Sequence, residues 1–127
     1  MNLALDTNAL SAIADGTAGA ARAFARATEV ALPVIVLGEY RFGIAQSPHR
    51  REYERWLEQV VAGCRVLGVD EDTAVWYARL RGQLRSAGTP IPSNDAWIAS
   101  LCRQHVLPLL SQDRHFDLIR GFERLDW

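Results

Sequence analysis

The chain has 127 residues, 49% of them hydrophobic and 23% charged. That balance predicts one globular domain over residues 1–127, able to bury roughly two-thirds of its unfolded surface without a disulfide or metal to hold it together. All 14 basic residues are arginine and the net charge is -1, which excludes a P-loop, Schiff-base or phospho-receiver lysine and argues against a protein that coats nucleic acid through a basic surface.

The first predicted element is a buried strand over residues 3–5, ending in Asp6, Thr7 and Asn8. Functional groups of an open α/β sheet collect at the carboxyl ends of such strands, although Asp6 or Asn8 could equally cap a helix beginning near Ala9. That helix stops at Asp15-Gly16, residues 16–19 read as a loop, and residues 20–28 are alanine-rich and helical by propensity. A second strand, residues 30–32, is closed by Pro33. The apolar run around it is too short to cross a bilayer, and no signal-peptide pattern opens the chain.

Residues 34–46 predict a helix on which Ile35, Glu39, Phe42 and Gln46 share a face. Glu39 then lies between apolar side chains, which is costly unless it is paired or binds a cation. Residues 49–63 form the next helix, whose Arg50, Arg51, Glu52, Glu54, Arg55 and Glu58 read as mutually paired charges on a wet face. A strand over residues 64–69 follows. Asp70 to Thr73 is the capped start of a helix that ends at Gly88, with Tyr77, Leu80 and Leu84 as its apolar stripe. Trp76 and Tyr77 read as core rather than as base-stacking groups.

Ser93 or Asn94 caps a further helix, with Asp95 in its first turn and in line with Ile98, Ala99 and Cys102. Cys64 and Cys102 show no metal-type pairing and read as buried thiols in a reducing cytoplasm. A strand over residues 106–110 runs into Ser111-Gln112-Asp113, repeating the opening pattern of an apolar run closed by a hydroxyl and a carboxylate. A short helix from Asp113, a stop at Gly121 and an edge strand in residues 122–127 complete the chain.

Strands alternating with helices predict a three-layer α/β/α sandwich with a mainly parallel central sheet. Asp6 and Asp113 leave strand ends at one edge of that sheet, and Glu39 and Asp95 lie on helices packed toward it. Each pair of ionised acids at ~5 Å costs about 3 kcal/mol even at an effective dielectric near 20. Some must therefore stay protonated or bind divalent cations. An all-oxygen set suits Mg²⁺ or Mn²⁺ rather than Zn²⁺, and such a site hydrolyses phosphate esters.

Leu-Asp-Thr-Asn, a mid-chain helical Glu, Asn-Asp-Ala-Trp-Ile-Ala and Ser-Gln-Asp-Arg-His-Phe, in that order, resemble the PIN domain and, within it, the VapC toxins of bacterial toxin–antitoxin pairs. The resemblance spans residues 2–125. It implies a PIN-like fold, a metal-dependent endoribonuclease, homodimerisation and neutralisation by a small antitoxin. Asp6, Glu39, Asp95 and Asp113 match the family's acidic quartet, and Thr7, Asn8 and Ser111 its supporting polar positions. Ser111 stands where many members carry threonine.

On this reading Asp6 and Asp95 hold the principal Mg²⁺, Asp113 completes or extends the site, and Glu39, counted with them as a metal residue beside a second ion, orients or deprotonates the attacking water. Thr7 and Ser111 fix carboxylate rotamers. Asp117 is a possible further contact. The rivals are a PIN nuclease of RNA processing that is no toxin, a small metal-dependent phosphatase and a non-catalytic binding domain. A phosphatase of the haloacid dehalogenase type wants a second aspartate where Asn8 stands, and a lysine that the chain lacks.

Overall fold

The computed structural model describes residues 1–127. Five strands, β1 (Asn2–Leu5), β2 (Glu29–Pro33), β3 (Arg65–Leu67), β4 (Leu109–Leu110) and β5 (Arg124–Leu125), form one sheet in the order β3-β2-β1-β4-β5. Every pairing is parallel. The three central strands are short apolar runs because both their faces are covered: Leu3, Ala4, Leu5, Val30, Ala31, Leu32, Leu109 and Leu110 are all buried.

Six α-helices connect the strands: α1 (Thr7–Ala14), α2 (Ala18–Arg26), α3 (Val34–Ile44), α4 (Arg50–Ala62), α5 (Glu71–Ser86) and α6 (Ser93–His105). The β1-β2-β3 crossovers step one way across the sheet and the β3-β4 crossover steps back. Right-handed connections therefore put α1 to α4 on one face and α5 and α6 on the other. Packing agrees, with α1 against α2 and α3, α3 against α4, and α5 along α6. This is the α/β/α sandwich that the alternation of strands and helices predicts.

Local chemistry sets most boundaries. Asp70 caps α5 in a reciprocal box: its carboxylate accepts the Thr73 N–H at 3.0 Å, and the Thr73 hydroxyl accepts the Asp70 N–H at 3.1 Å. The stop expected at Gly88 is real, and its φ of +71° lies in the left-handed region. Tyr77 packs as core, stacked on Trp97 with ring centroids 3.8 Å apart. The expected loop at residues 16–19 is cut short, because α2 already begins at Ala18. Gly19 fits there because a Cβ would sit 3.2 Å from the carbonyl carbon of Trp127.

Two expectations need correction. Val106 does not begin a strand. It closes α6 in the left-handed conformation, φ 56°, and is 87% exposed, so β4 shrinks to two residues. A β-branched residue rarely accepts that conformation, and nothing local announces it. The inward face of α3 is also not the one its periodicity suggested. Val36, Tyr40 and Ile44 are buried, whereas Phe42 is 85% exposed. The helix is apolar nearly all round, so several stripes compete and the sheet selects one.

Ile44→Ala is therefore expected to cost about 2–5 kcal/mol. Phe42→Ala should stay within about 0.5 kcal/mol. Urea unfolding of the two variants checks the contrast, and equal losses would contradict the chosen face.

Candidate active site

The register of β1 against β4 builds the site's floor. Leu5 lies beside Leu110, so the next residues, Asp6 and Ser111, meet at the carboxyl edge. Chain connections leave β1 in one direction and reach β4 from the other, and the crevice between two such strands is where open α/β sheets bind ligands. Asp6 is 5% exposed. One carboxylate oxygen accepts the Ala9 N–H at 2.7 Å, capping α1, and the other accepts the Ser111 hydroxyl. Capping and site membership, alternatives in the sequence, are the same geometry here.

Ser111 is fully buried and works in two directions, since its oxygen also accepts the Asp113 N–H at 2.9 Å. Ser111→Ala leaves a buried carboxylate and a backbone donor without that partner. A loss of about 1–3 kcal/mol in chemical denaturation is expected. A neutral substitution would show that solvent replaces the hydroxyl.

Glu39 borders the buried stripe of α3, half-exposed, rather than lying within it. It is held from two sides, by the Thr7 hydroxyl at 2.7 Å and the Asn94 amide at 3.2 Å. Asn94 is thus a site residue, and it does not cap α6: the N-cap is Pro92, with no side-chain bond. Asp95, in the first turn of α6, and Asp113, after β4, face one another across His115. The imidazole Nδ1 lies 3.5 Å from Asp95 and 3.2 Å from Asp113. One ligand atom from each of Asp95, Asp113 and His115 falls within 4.8 Å of the others.

The acids feel one another. Burial pushes the Asp6 carboxyl above its ordinary range; the Ser111 and Ala9 hydrogen bonds pull it back, and the charges of Asp113 and Asp95 push it further up. Asp95 is raised too, first by burial and then by Asp113, with His115 opposing and Glu39 adding. No arginine neutralises any of the four. The ion pairs that arginines make go to Glu54, Asp117 and Asp126. Asp117, left open by the sequence, accepts two parallel bonds from one edge of Arg124, from Nε at 2.8 Å and Nη2 at 3.0 Å.

Asn8 is exposed at the mouth of the site, lining a cleft beside Thr7 and Glu39. Cys102 is buried with its thiol pushed up to about 12, which makes it inert. His105 contacts Arg65 at 3.2 Å. The sequence does not single out His115 or Asn94, which contact the candidate site. Both lie inside the motifs that carry the family resemblance, but their nearness to Asp113 and Asp95 does not tell a site residue from a surface one.

Carboxylates gathered at the switch point of a parallel sheet, unneutralised by arginine, define a metal-binding phosphodiesterase type of site. Residues 3–121 match the PIN domain. The chain is 37% identical over 95 residues to Ribonuclease VapC5 of Mycobacterium tuberculosis, covering 72% of this chain and 70% of that one. It is 33% identical over 90 residues to Ribonuclease VapC4 of the same organism, covering 69% of each. The structure of DNA-bound VapBC from Salmonella typhimurium superposes with a TM-score of 0.88 over 100% of this chain and 98% of that one, at 24% identity. The chain belongs to the PIN-domain family, among the VapC ribonucleases, a class of metal-dependent nucleases. No helix is long and apolar enough to cross a membrane.

Proposed function

We propose that this PIN unit, residues 1–127, hydrolyses RNA phosphodiesters at the pocket made by Asp6, Glu39, Asp95 and Asp113, as the toxin of a cytoplasmic toxin–antitoxin pair. The observation that carries the reading is the convergence of Asp6, Asp95 and Asp113, joined through Ser111 and His115, in a pocket that no arginine neutralises. Such a cluster is relieved by a divalent cation, and its donor set fits one. Asp95 and Asp113, with Asp6 buried beside them, would hold Mg²⁺ or Mn²⁺, and His115 offers a nitrogen that Mn²⁺ tolerates better than Mg²⁺. When bound, the ion supplies charge to the phosphate and acidifies water.

The remaining work falls to the chain. Glu39, clamped by Thr7 and Asn94, orients the attacking water and accepts its proton. Ser111 fixes the Asp6 rotamer for its role. Asn8, at the mouth, is placed to touch substrate. Kinship with the two ribonucleases supports RNA as substrate. Similarity of fold to a chain of the DNA-bound VapBC structure supports a small antitoxin as partner, and a homodimer is the assembly that the family resemblance implies.

The test is cleavage of labelled RNA by purified protein with Mg²⁺, with Mn²⁺ and with EDTA, alongside a small phosphate monoester. Metal-dependent internal cuts in RNA and an untouched monoester are expected. Monoester hydrolysis without RNA cleavage would favour the phosphatase alternative.

A further inference from the structure

A pocket of carboxylates repels RNA as strongly as it attracts cations, so a polyanionic substrate needs positive groups within reach. A trough leads from Glu39 toward such groups. A cleft of about 410 Å³ is lined by Thr7, Asn8 and Glu39 and also by Tyr40, Tyr53 and Ser47. Ser47 also lines a second, open groove of about 570 Å³ at the α3–α4 junction, where Arg50, Arg51 and Arg55 outnumber the one acid in its wall, Glu52.

Of the paired charges expected on α4, only one pair forms. Arg50 has one exposed contact with Glu54 at 3.6 Å, while Arg51 and Arg55 have no acidic partner. Because Arg51 and Arg55 are i,i+4 neighbours of like sign, they face the same way without neutralising each other. At the same place α4 begins without a side-chain cap, and the N–H groups of Arg51 and Glu52 have no acceptor. A helix start of this kind adds its dipole to the arginine charge.

The cleft between is different in kind. Asp15 and Glu39 in its walls disfavour a phosphate, while Asn8, Ser11 and Ser47 are neutral hydrogen-bonding groups. Tyr40, 3% exposed, has a hydroxyl with no partner anywhere in the chain. It is enclosed by the core and is out of a ligand's reach. Tyr53 is half-buried, and its hydroxyl donates to Asp15 at 3.1 Å. Uncharged nucleoside next to the acids and phosphate beyond it is the order these groups select.

We infer that single-stranded RNA lies along this trough. A nucleoside next to the scissile phosphate rests against Tyr53 and the neutral Asn8, Ser11 and Ser47, and the phosphate beyond it is gripped by Arg51, Arg55 and the start of α4. The inference rests on the carboxylate pocket being the site of RNA cleavage. Single strands fit because a base must leave its stack to enter the cleft and meet aromatic and polar side chains there.

The experiment uses a fluorescent single-stranded RNA oligonucleotide and anisotropy over a salt series, in the Asp6→Asn background so that no cleavage intervenes. Adding R51A and R55A should weaken affinity and reduce the slope of log affinity against log salt by about 1.4, two single-strand contacts at about 0.7 each. R51K with R55K should restore most of that slope. In the active protein the loss should fall on KM. Unchanged affinity and slope overturn the inference. So does protection of these arginines by a protein partner while RNA affinity is unaffected, which makes the groove a protein-docking surface. A wild type that cleaves no RNA, with the salt slope still dependent on the arginines, defeats the nuclease reading and keeps the groove as an RNA site.

Discussion

Asp6→Asn is expected to abolish RNA cleavage and yet leave the metal-free protein as stable as the wild type, or more so. An amide keeps the carbonyl oxygen that accepts the Ala9 N–H, and asparagine caps helices about as well as aspartate. The Ser111 hydroxyl, which donates to Asp6, turns to accept from the new amide N–H instead. What disappears is a buried negative charge whose carboxyl is pushed up by its burial and by Asp113 and Asp95. Removing it relieves a repulsion in the free protein and removes a ligand from the cation site.

Turnover should fall at least about 10³-fold, the upper end of what one electrostatic group supplies. The thermal midpoint in EDTA should hold or rise. A fall of more than about 4 °C, on the order of 1 kcal/mol for a domain near this size, would mean that the charge stabilises the fold. Undiminished turnover would remove Asp6 from the site.

The second large effect is a pH-dependent instability that divalent cations reverse. Asp6 and Asp95 both titrate above the ordinary 3.8 in the folded chain. Between 3.8 and their folded values the native state holds protons that the unfolded chain has released. Their contribution to stability is therefore complete below 3.8 and is lost as pH rises through the folded values. Asp70 and Asp117, lowered by hydrogen bonds chiefly from the Thr73 backbone and from Arg124, act in the opposite sense. They cancel when the wild type is compared with a variant carrying both Asp6→Asn and Asp95→Asn.

In EDTA, the wild type should lose stability relative to that double variant as pH is raised from about 4 to about 8. Adding Mn²⁺ should reverse the trend at high pH, by about 2.7 kcal/mol once the ion is at 100 times its dissociation constant. Little reversal is expected at low pH, where protons compete for the same oxygens. Thermal unfolding across the two pH series measures both. A difference between the proteins that does not change with pH would mean that the acids do not share a field.

Local pattern makes much of this molecule legible. Apolar runs closed by Asp6 and by Ser111-Gln112-Asp113 mark two strand ends, because a strand buried on both faces can place polar groups only where it stops. Asp95 in line with Ile98, Ala99 and Cys102 marks the inward side of α6, since all three of those residues are buried. Asp70 and Thr73 declare the start of α5 through bonds spanning three residues. Each of these signals is carried by neighbours in the chain.

Tertiary structure decided the rest. Periodicity reports where a side chain lies about its own helix axis, but α3 is apolar nearly all round, and only packing chose Val36, Tyr40 and Ile44 over the stripe containing Phe42. Glu39 consequently stands beside the buried face, held by residues 32 and 55 positions away. Ser111 reaches Asp6 across 105 residues through the β1–β4 register, and His115 enters between Asp95 and Asp113 through a turn whose bond is local but whose second partner is not. By itself the sequence determined which residues carry negative charge and where strands end. Which charges share one pocket was decided by strand order, because electrostatic coupling follows distance in space and the sequence records only distance along the chain.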